Sequence, residues 1–197
     1  MTSRSPTLLR GPYPNLAQDI TLAAVSGLTA TTYTQDGIHM RTVFTLASVQ
    51  VTMADGTSHL SYGSLKLCDF PTGFLFRQGG CFDLTALRSV GGATGLNTGA
   101  ALVISLGSAA ADNGATLTGN EVSFIASTGT TLSSFVAAAS TTSSSPATTL
   151  LGTASTAVSL YFNAAANSSE TTTTGADTLT LSGTFLLDWT IVGKTGQ

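Results

Sequence analysis

The sequence predicts an all-β fold: an antiparallel β-sandwich or jelly roll preceded by an extended N-terminal arm. Short apolar stretches, the clearest of them with period-two alternation, are separated by clusters of Gly, Asn, Asp, Ser and Thr. No stretch shows apolar residues at i, i+3, i+4 and i+7 between helix caps. The 197 residues, of which 42% are hydrophobic, suffice for one domain with a real core. We therefore expect an arm over residues 1–17 and a single domain over residues 18–197.

Residues 1–17 have the composition of an extended arm. Three prolines in this segment block helix and remove backbone donors that a strand ladder would need. The segment also contains two of the seven basic residues, together with apolar side chains for which a disordered tail has little use. It is either a frayed terminus or an arm that lies across a neighbouring subunit. In the second case the candidate contact residues are Arg4, Leu8, Leu9, Arg10 and Tyr13.

The rest of the chain is dominated by strand signals. The last predicted strand is the clearest, because large apolar side chains occupy odd positions from Leu179 to Ile191 and polar ones occupy even positions. Gly183 interrupts this alternation and predicts a bulge or a close backbone approach. The predicted strands cover residues 19–25, 41–53, 59–68, 74–84, 101–106, 121–127, 157–163 and 178–192.

Asp55-Gly56 stands between two apolar runs and predicts a two-residue type I′ hairpin turn. That turn places Val51 opposite Leu60. Further from the turn the hydrophobic positions move to the other face of the strand pair. Such a change indicates either a bulge that bends the pair into a second sheet or a second buried surface. The change of face falls at Ala47, Ser48, Gly63 and Ser64.

Several segments are predicted as turns or loops. Asp36-Gly37 and Asp112-Asn113-Gly114 are turn signals. Residues 129–152 are predicted as a long Ser/Thr/Ala-rich surface loop, alone or with a short helix around residues 132–139. Residues 167–175 are predicted to form a second exposed loop. Long loops are usually functional or disordered, so contact with a partner is one role for these segments.

The composition narrows the range of partners. Charged residues make up only 9% of the chain, against about 25% in ordinary soluble domains. A hydroxyl-rich surface loses little rotamer entropy when it is covered. It belongs either to a stable β-domain with a polar exterior or to a surface that packs against a partner. The net charge of −3 and the dispersed basic residues argue against nucleic-acid binding.

Membrane insertion and secretion are not expected either. No window offers the roughly 18 to 20 uninterrupted apolar residues of a spanning helix. The first residues lack the apolar core of a signal peptide, so we expect synthesis and folding in a cytoplasm. Two free buried thiols, Cys68 and Cys81, are favoured over a disulfide between them in that compartment.

The sequence offers no recognisable catalytic or metal-binding motif. The acidic residues are scattered, and His39 and His59 are the only histidines. There is no Gly-x-Ser-x-Gly elbow and no metal-ligand spacing. The Gly-rich stretch 91–95 lacks the Lys-Ser/Thr of a phosphate loop. We expect a protein that is not an enzyme, with no catalytic residue, no cofactor and no metal.

Taken together, the chain resembles the small head decoration, or cement, proteins of tailed bacteriophages. The resemblance rests on the proline-rich arm, the Ser/Thr/Ala/Gly-rich body, Phe70-Pro71-Thr72-Gly73 leading into a strand, and the terminal Leu-Ser-Gly-Thr-Phe-Leu-Leu-Asp-Trp-Thr-Ile over residues 181–191. It implies a β-sandwich or jelly-roll knob on the outside of an icosahedral head. The implied partners are the major capsid protein and further copies of the chain, as a dimer or trimer.

Two alternatives stay open. The chain could be another virion component, such as a jelly-roll capsid protein, a head fibre or a tail subunit. It could also be a cell-surface or secreted β-sandwich binding module, against which the missing signal peptide argues.

Overall fold

The computed structural model describes residues 20–34, 39–55, 61–89, 101–112, 116–131, 139–142, 157–166 and 177–192. Most of these residues lie in ten strands, and the described part contains one 3₁₀ turn, Gly119–Val122, and no α-helix. The predicted all-β class is thereby confirmed. The strands are β1 (Thr21–Leu22), β2 (Leu28–Thr34), β3 (His39–Asp55), β4 (Ser61–Asp69), β5 (Phe74–Ser89), β6 (Ala101–Gly107), β7 (Ile125–Thr131), β8 (Ala139–Thr142), β9 (Ser159–Ala166) and β10 (Asp177–Val192).

All ten strands belong to one antiparallel sheet in the order β7-β6-β9-β4-β3-β10-β5-β8, with β1 beside β4 and β2 beside β3. The sheet curls until its far strands approach one another. Nη1 of Arg77 in β5 donates to the carbonyl oxygen of Phe124, next to β7, at 2.6 Å. The sheet is therefore nearly barrel-shaped and encloses its core.

Strand β3 contains a bulge near its middle. Even-numbered side chains are buried from Met40 to Leu46, and odd-numbered ones from Val49 onward. Between them Ser48 has a φ of 56°, and the pairing with β10 shifts opposite Gly183, whose φ is 131°. One extra residue in β3 moves the buried positions from even to odd numbers, so the same face of the strand stays in the core. The predicted change of face at Ala47 and Ser48 is confirmed, and Gly183, predicted to mark a bulge or a close backbone approach, lies at the register shift. The predicted change at Gly63 and Ser64 is wrong, because buried residues of β4 keep odd positions on both sides of it, at Ser61 and at Leu67.

The predicted hairpin register is wrong. Met53 lies opposite Gly63 and Asp55 opposite Ser61, so residues 56–60 connect the strands in place of a two-residue turn. The two strands share only three residue pairs before they separate. Strand β4 then pairs with β9, while β3 pairs with β2 and β10. The two strands therefore separate at Met53 and Gly63, a few residues away from the bulge at Ser48.

The strand predictions agree with β3, β4, β5, β6, β9 and β10 to within a few residues, although β5 extends to Ser89. Three predictions need correction. Of the predicted strand over residues 19–25, the described residues 20–25 contain only the two-residue β1, and the sequence predicts no strand where β2 lies. Glu121 lies in the 3₁₀ turn, not in the strand that follows it. Residues 129–131 and 139–142 of the predicted loop are strand.

Other predictions fall on residues outside the described ranges. These are the arm over residues 1–17, the turn residues Asp36, Gly37, Asn113 and Gly114, the Gly-rich stretch 91–95, the loop 167–175, and most of the loop 129–152. The strands that flank Asp36-Gly37 do pair with each other, with Thr34 opposite Met40.

The core is organised around aromatic contacts between the two halves of the curled sheet. Phe162 of β9 stacks on Phe185 of β10 with ring centroids 5.5 Å apart. Phe70 meets the edge of Trp189 at 4.9 Å and stacks on Phe124 at 5.4 Å. Each ring is almost completely buried, and the contact between Phe162 and Phe185 joins two strands that are not neighbours in the sheet. Such pairs stabilise the fold beyond the area they bury.

Candidate functional site

The exposed surface of β2 and β3 is the most extended candidate for contact with a partner. The two strands pair in register, so their outward side chains form cross-strand rows: Thr29 beside Thr45 and Tyr33 beside Arg41. Beyond the bulge the outward positions are even-numbered. We call this surface the hydroxyl face. Its exposed members are Thr29, Thr31, Tyr33, Arg41, Thr45, Gln50 and Thr52.

Arg41 brings the one charge among these exposed side chains, and Asp188 neutralises it. The two residues lie directly opposite each other on β3 and β10. Nε of Arg41 donates to Oδ1 at 2.7 Å and the terminal nitrogen donates to Oδ2 at 2.9 Å. This hydrogen-bonded carboxylate raises the pKa of the guanidinium. Because both side chains are substantially exposed, the pair adds little stability, and its main effect is to leave this surface without net charge.

The same ion pair lines a shallow cleft of about 240 Å³. Its other lining residues are His39, Met40 and Gln78. Gln78 donates to the hydroxyl of Thr190 at 2.6 Å, which fixes the amide in the wall of the cleft. His39 is thus placed beside an ion pair and an amide. His59, the other histidine, lies outside the described residues.

A buried polar network fastens the segment between β6 and β7 to the sheet. Asn163 of β9 is fully buried and makes four side-chain hydrogen bonds. Its amide nitrogen donates to the carbonyl oxygens of Ala109 and Glu121 at 3.0 and 2.9 Å. Its oxygen accepts from Ser64 at 2.7 Å and from the Ala111 amide at 3.1 Å. Every hydrogen-bonding position of this amide is therefore used to hold the chain together.

Glu121 completes this network. Its carboxylate accepts from the backbone amides of Thr118 at 2.7 Å and Asp112 at 2.9 Å, so the charge is compensated by two N–H groups. Thr118 and Glu121 form a capping box at the 3₁₀ turn. The sequence Thr-Gly-Asn-Glu over residues 118–121 carries this signal, which was missed when Glu121 was assigned to a strand.

The two thiols are free, as predicted. Cys68 is completely buried, and this burial raises the pKa of its thiol far above the ordinary range. Cys81 is only half-buried, which corrects the prediction for that residue. Burial, followed by the nearby Asp83 and Asp188, raises its pKa as well. Both sulfurs are thereby kept in the protonated form that reacts poorly.

The arm residues predicted to contact a partner, Arg4, Leu8, Leu9, Arg10 and Tyr13, all lie outside the described residues. Among the residues that are described, no three His, Cys, Asp or Glu side chains come close enough to hold a metal ion. Over the same ranges, no helix has the length and apolar character needed to cross a membrane.

Comparison of the chain with protein-family models, with curated proteins and with solved structures finds no match. Its function is therefore inferred from its own residues.

Proposed function

We propose that this chain is a non-enzymatic structural protein of a virion: a decoration protein that stabilises an icosahedral head by bridging its capsomers. In this proposal the curled antiparallel sheet is a β-sandwich or jelly-roll knob, and the arm over residues 1–17 reaches a neighbouring subunit. The protein resides on the capsid surface after synthesis in the host cytoplasm.

The hydroxyl face is the observation that supports this proposal best. It consists mainly of short Thr side chains, and its single charge is neutralised within the face by Asp188. Covering such a surface immobilises few long side chains and strips water from few charges. A protein that packs against a shell in many symmetric copies gains from both properties.

The buried polar groups support a structural role. The side-chain amide of Asn163 donates to the backbone carbonyl oxygens of Ala109 and Glu121. The carboxylate of Glu121 accepts from the backbone amides of Asp112 and Thr118. Their hydrogen bonds fix the loop that precedes β7 and leave Asn163 no capacity for a substrate. A rigid knob with satisfied polar groups suits a protein whose task is mechanical.

The expected mechanism is avidity. Each copy makes shallow contacts with the major capsid protein, and symmetry repeats them over the shell. In the arm, Leu8, Leu9 and Tyr13 bury against a neighbour while Arg4 and Arg10 pair with acidic groups of the shell. No nucleic acid, membrane or cofactor takes part.

The first test is copy number, measured by quantitative mass spectrometry of purified virus particles. A number near that of the major capsid protein is expected for a decoration protein. A few copies per particle would assign the chain to a tail or fibre, and its absence from particles would overturn the virion role and favour a binding module.

The second test addresses the arm. Deleting residues 1–16 is expected to leave a folded domain that no longer stays on capsids in a co-sedimentation assay. The double variant Leu8→Asp, Leu9→Asp should lose binding in the same way. The double variant Ser3→Asp, Ser5→Asp adds the same charge at polar arm positions and should still bind. Capsid binding by the truncated protein would exclude the arm from this role.

A further inference from the structure

Strand β2 has one neighbour and one open edge among the described residues. All seven of its residues pair with β3 in an unbroken register from Leu28 opposite Leu46 to Thr34 opposite Met40. No other described strand pairs with it. An edge of this kind presents unpaired N–H and C=O groups that can join another strand.

Strand β2 also lacks the features by which natural sheets protect their edges. Its sequence, LTATTYT, contains no Lys, Pro, Gly or charged residue. The other strands that could offer an edge differ. Strand β1 has two residues and β8 has four, while β7 contains Gly129 and has a shifted register against β6. Residues 74–80 of β5 also lack a described partner on one side, but their pairing with β10 is shifted at Gly79. Among the described strands, the open edge of β2 is the longest without such a shift.

The backbone groups that face this edge can be identified. The amide of Ala47 donates to the carbonyl oxygen of Gly27 at 2.8 Å, just beyond the last pair of β2 and β3. This bond makes Leu28 and Leu46 a non-hydrogen-bonded pair, and the two pair types alternate along an antiparallel ladder. Every second residue of β2 therefore turns its N–H and C=O away from β3. The outward groups belong to Ala30, Thr32 and Thr34.

We propose that β2 pairs antiparallel with β2 of a second copy of this chain, with the two-fold axis at Thr31. In this register Ala30 of each copy lies opposite Thr32 of the other, and both present outward N–H and C=O groups. Thr31 lies opposite Thr31 of the second copy. The arrangement uses all seven residues of the strand and closes as an isologous dimer.

Charge and side-chain chemistry favour a second copy of the chain as the partner of the open edge of β2. Because β2 carries no charge, self-pairing brings no like charges together. The side chain of Tyr33 is 56% exposed, which is the largest exposure of a large hydrophobic side chain among the described residues. Self-pairing sets it opposite Thr29 of the other copy, and aromatic residues pair favourably with β-branched ones across strands. Arg41, next to Tyr33, is already neutralised by Asp188.

This dimer does not depend on the proposed role in a virion. It would join the β5-β10-β3-β2 portions of two copies into one continuous sheet and double the extent of the hydroxyl face.

The proposal is tested first by sedimentation equilibrium of the full chain. The wild-type chain should show a concentration-dependent dimer. Ala30→Pro removes an outward N–H that β3 does not use, and Thr31→Lys sets two cations opposite each other on the axis. Each should weaken dimerisation at least about tenfold.

Thr52→Lys puts the same charge on β3 beyond the reach of β2 and should dimerise like the wild type. The fluorescence of Trp189 verifies that each variant is folded.

The second test is a cross-link that reports the register. Thr31→Cys, made in a Cys81→Ser chain, should form a disulfide-linked dimer on mild oxidation, because the two sulfurs meet on the axis. Thr52→Cys in the same background should remain monomeric on a non-reducing gel. A monomeric wild-type chain, a dimer unaffected by Ala30→Pro and Thr31→Lys, or a dimer that Thr31→Cys does not cross-link would each overturn the proposal.

Discussion

The indole N–H of Trp189 donates to the hydroxyl oxygen of Thr42 at 2.9 Å, and both side chains are completely buried. Thr42 in turn lies 3.0 Å from the hydroxyl of Thr32 on β2. A chain of hydrogen bonds thus runs from β10 through β3 to the edge strand, inside a region that is otherwise apolar.

Replacing Thr42 with Val is expected to destabilise the fold by about 1–3 kcal/mol, because the indole N–H would be left buried without an acceptor. Urea denaturation followed by the fluorescence of Trp189 measures the change. Thr32→Val is the matched control: it removes a hydroxyl at a half-buried position but leaves the indole bond intact, so its effect should be smaller. Equal effects would show that the indole bond contributes nothing of its own.

Asn163→Ala is expected to cost about 2 kcal/mol, because the carbonyl oxygen of Ala109 would lose the amide that donates to it. The Glu121 carbonyl and the Ala111 amide would each lose one of two partners and keep only Ser105 and Ser64, respectively. The loss should concentrate in residues 108–123, where the amide of Ala111 should exchange its hydrogen faster. Ser123→Ala removes a hydroxyl that accepts from the Ser108 amide but leaves the bonds of the Ala111 amide intact, so it serves as the control for exchange at Ala111. Unchanged exchange at Ala111 in the Asn163 variant would contradict the anchoring role.

Two glycines should respond differently to the same substitution. A Cβ on Gly63 would lie 2.6 Å from both the sulfur of Met53 and the carbonyl oxygen of Thr52, so Gly63→Ala should destabilise the fold by about 1–3 kcal/mol. A Cβ on Gly129 would meet nothing within 4 Å, so Gly129→Ala should be neutral or slightly stabilising. Thermal unfolding distinguishes the two, and a tolerated Gly63→Ala would mean that β3 and β4 are not so closely paired.

The thiols make a prediction about pH. Because burial raises the pKa of Cys81, its thiolate is scarcer at neutral pH than that of an ordinary thiol. Labelling by a disulfide reagent should therefore keep accelerating with pH beyond the point at which an ordinary thiol levels off. Cys68 should not react in the native chain. Cys81→Ser should therefore abolish native labelling, whereas Cys68→Ser should leave it intact. Unfolding without reductant should expose two reactive thiols; none would reveal a disulfide.

The sequence predicts a strand well where burial alternates cleanly. In β10 every large odd-numbered side chain enters the core, so Trp189 and its neighbours are placed correctly. The sequence of β2 does not show this alternation of apolar and polar residues, because its inward positions after Leu28 are the small or polar Ala30, Thr32 and Thr34. An edge strand buries little, and its pattern resembles that of a loop.

The register of β3 and β4 could not be predicted for a different reason. Asp55-Gly56 indicates that the chain turns there, but not how many residues the connection takes. Most of β3 pairs with β10, more than a hundred residues further along the chain, and local sequence does not reveal such a partner. The face change near Ser48 was nonetheless recognisable, since a bulge alters the parity of buried positions whatever strand lies opposite.

The position of β10 has a consequence for how the chain is made. It lies between β3 and β5 and pairs with both along almost its whole length, yet it is the last described strand to leave the ribosome. Until then β3 and β5 flank an unfilled gap, and each presents a long unpaired edge to other nascent chains. Folding should be slow and governed by the arrival of β10. A chain truncated before residue 177 should aggregate during synthesis and be unable to form the sheet.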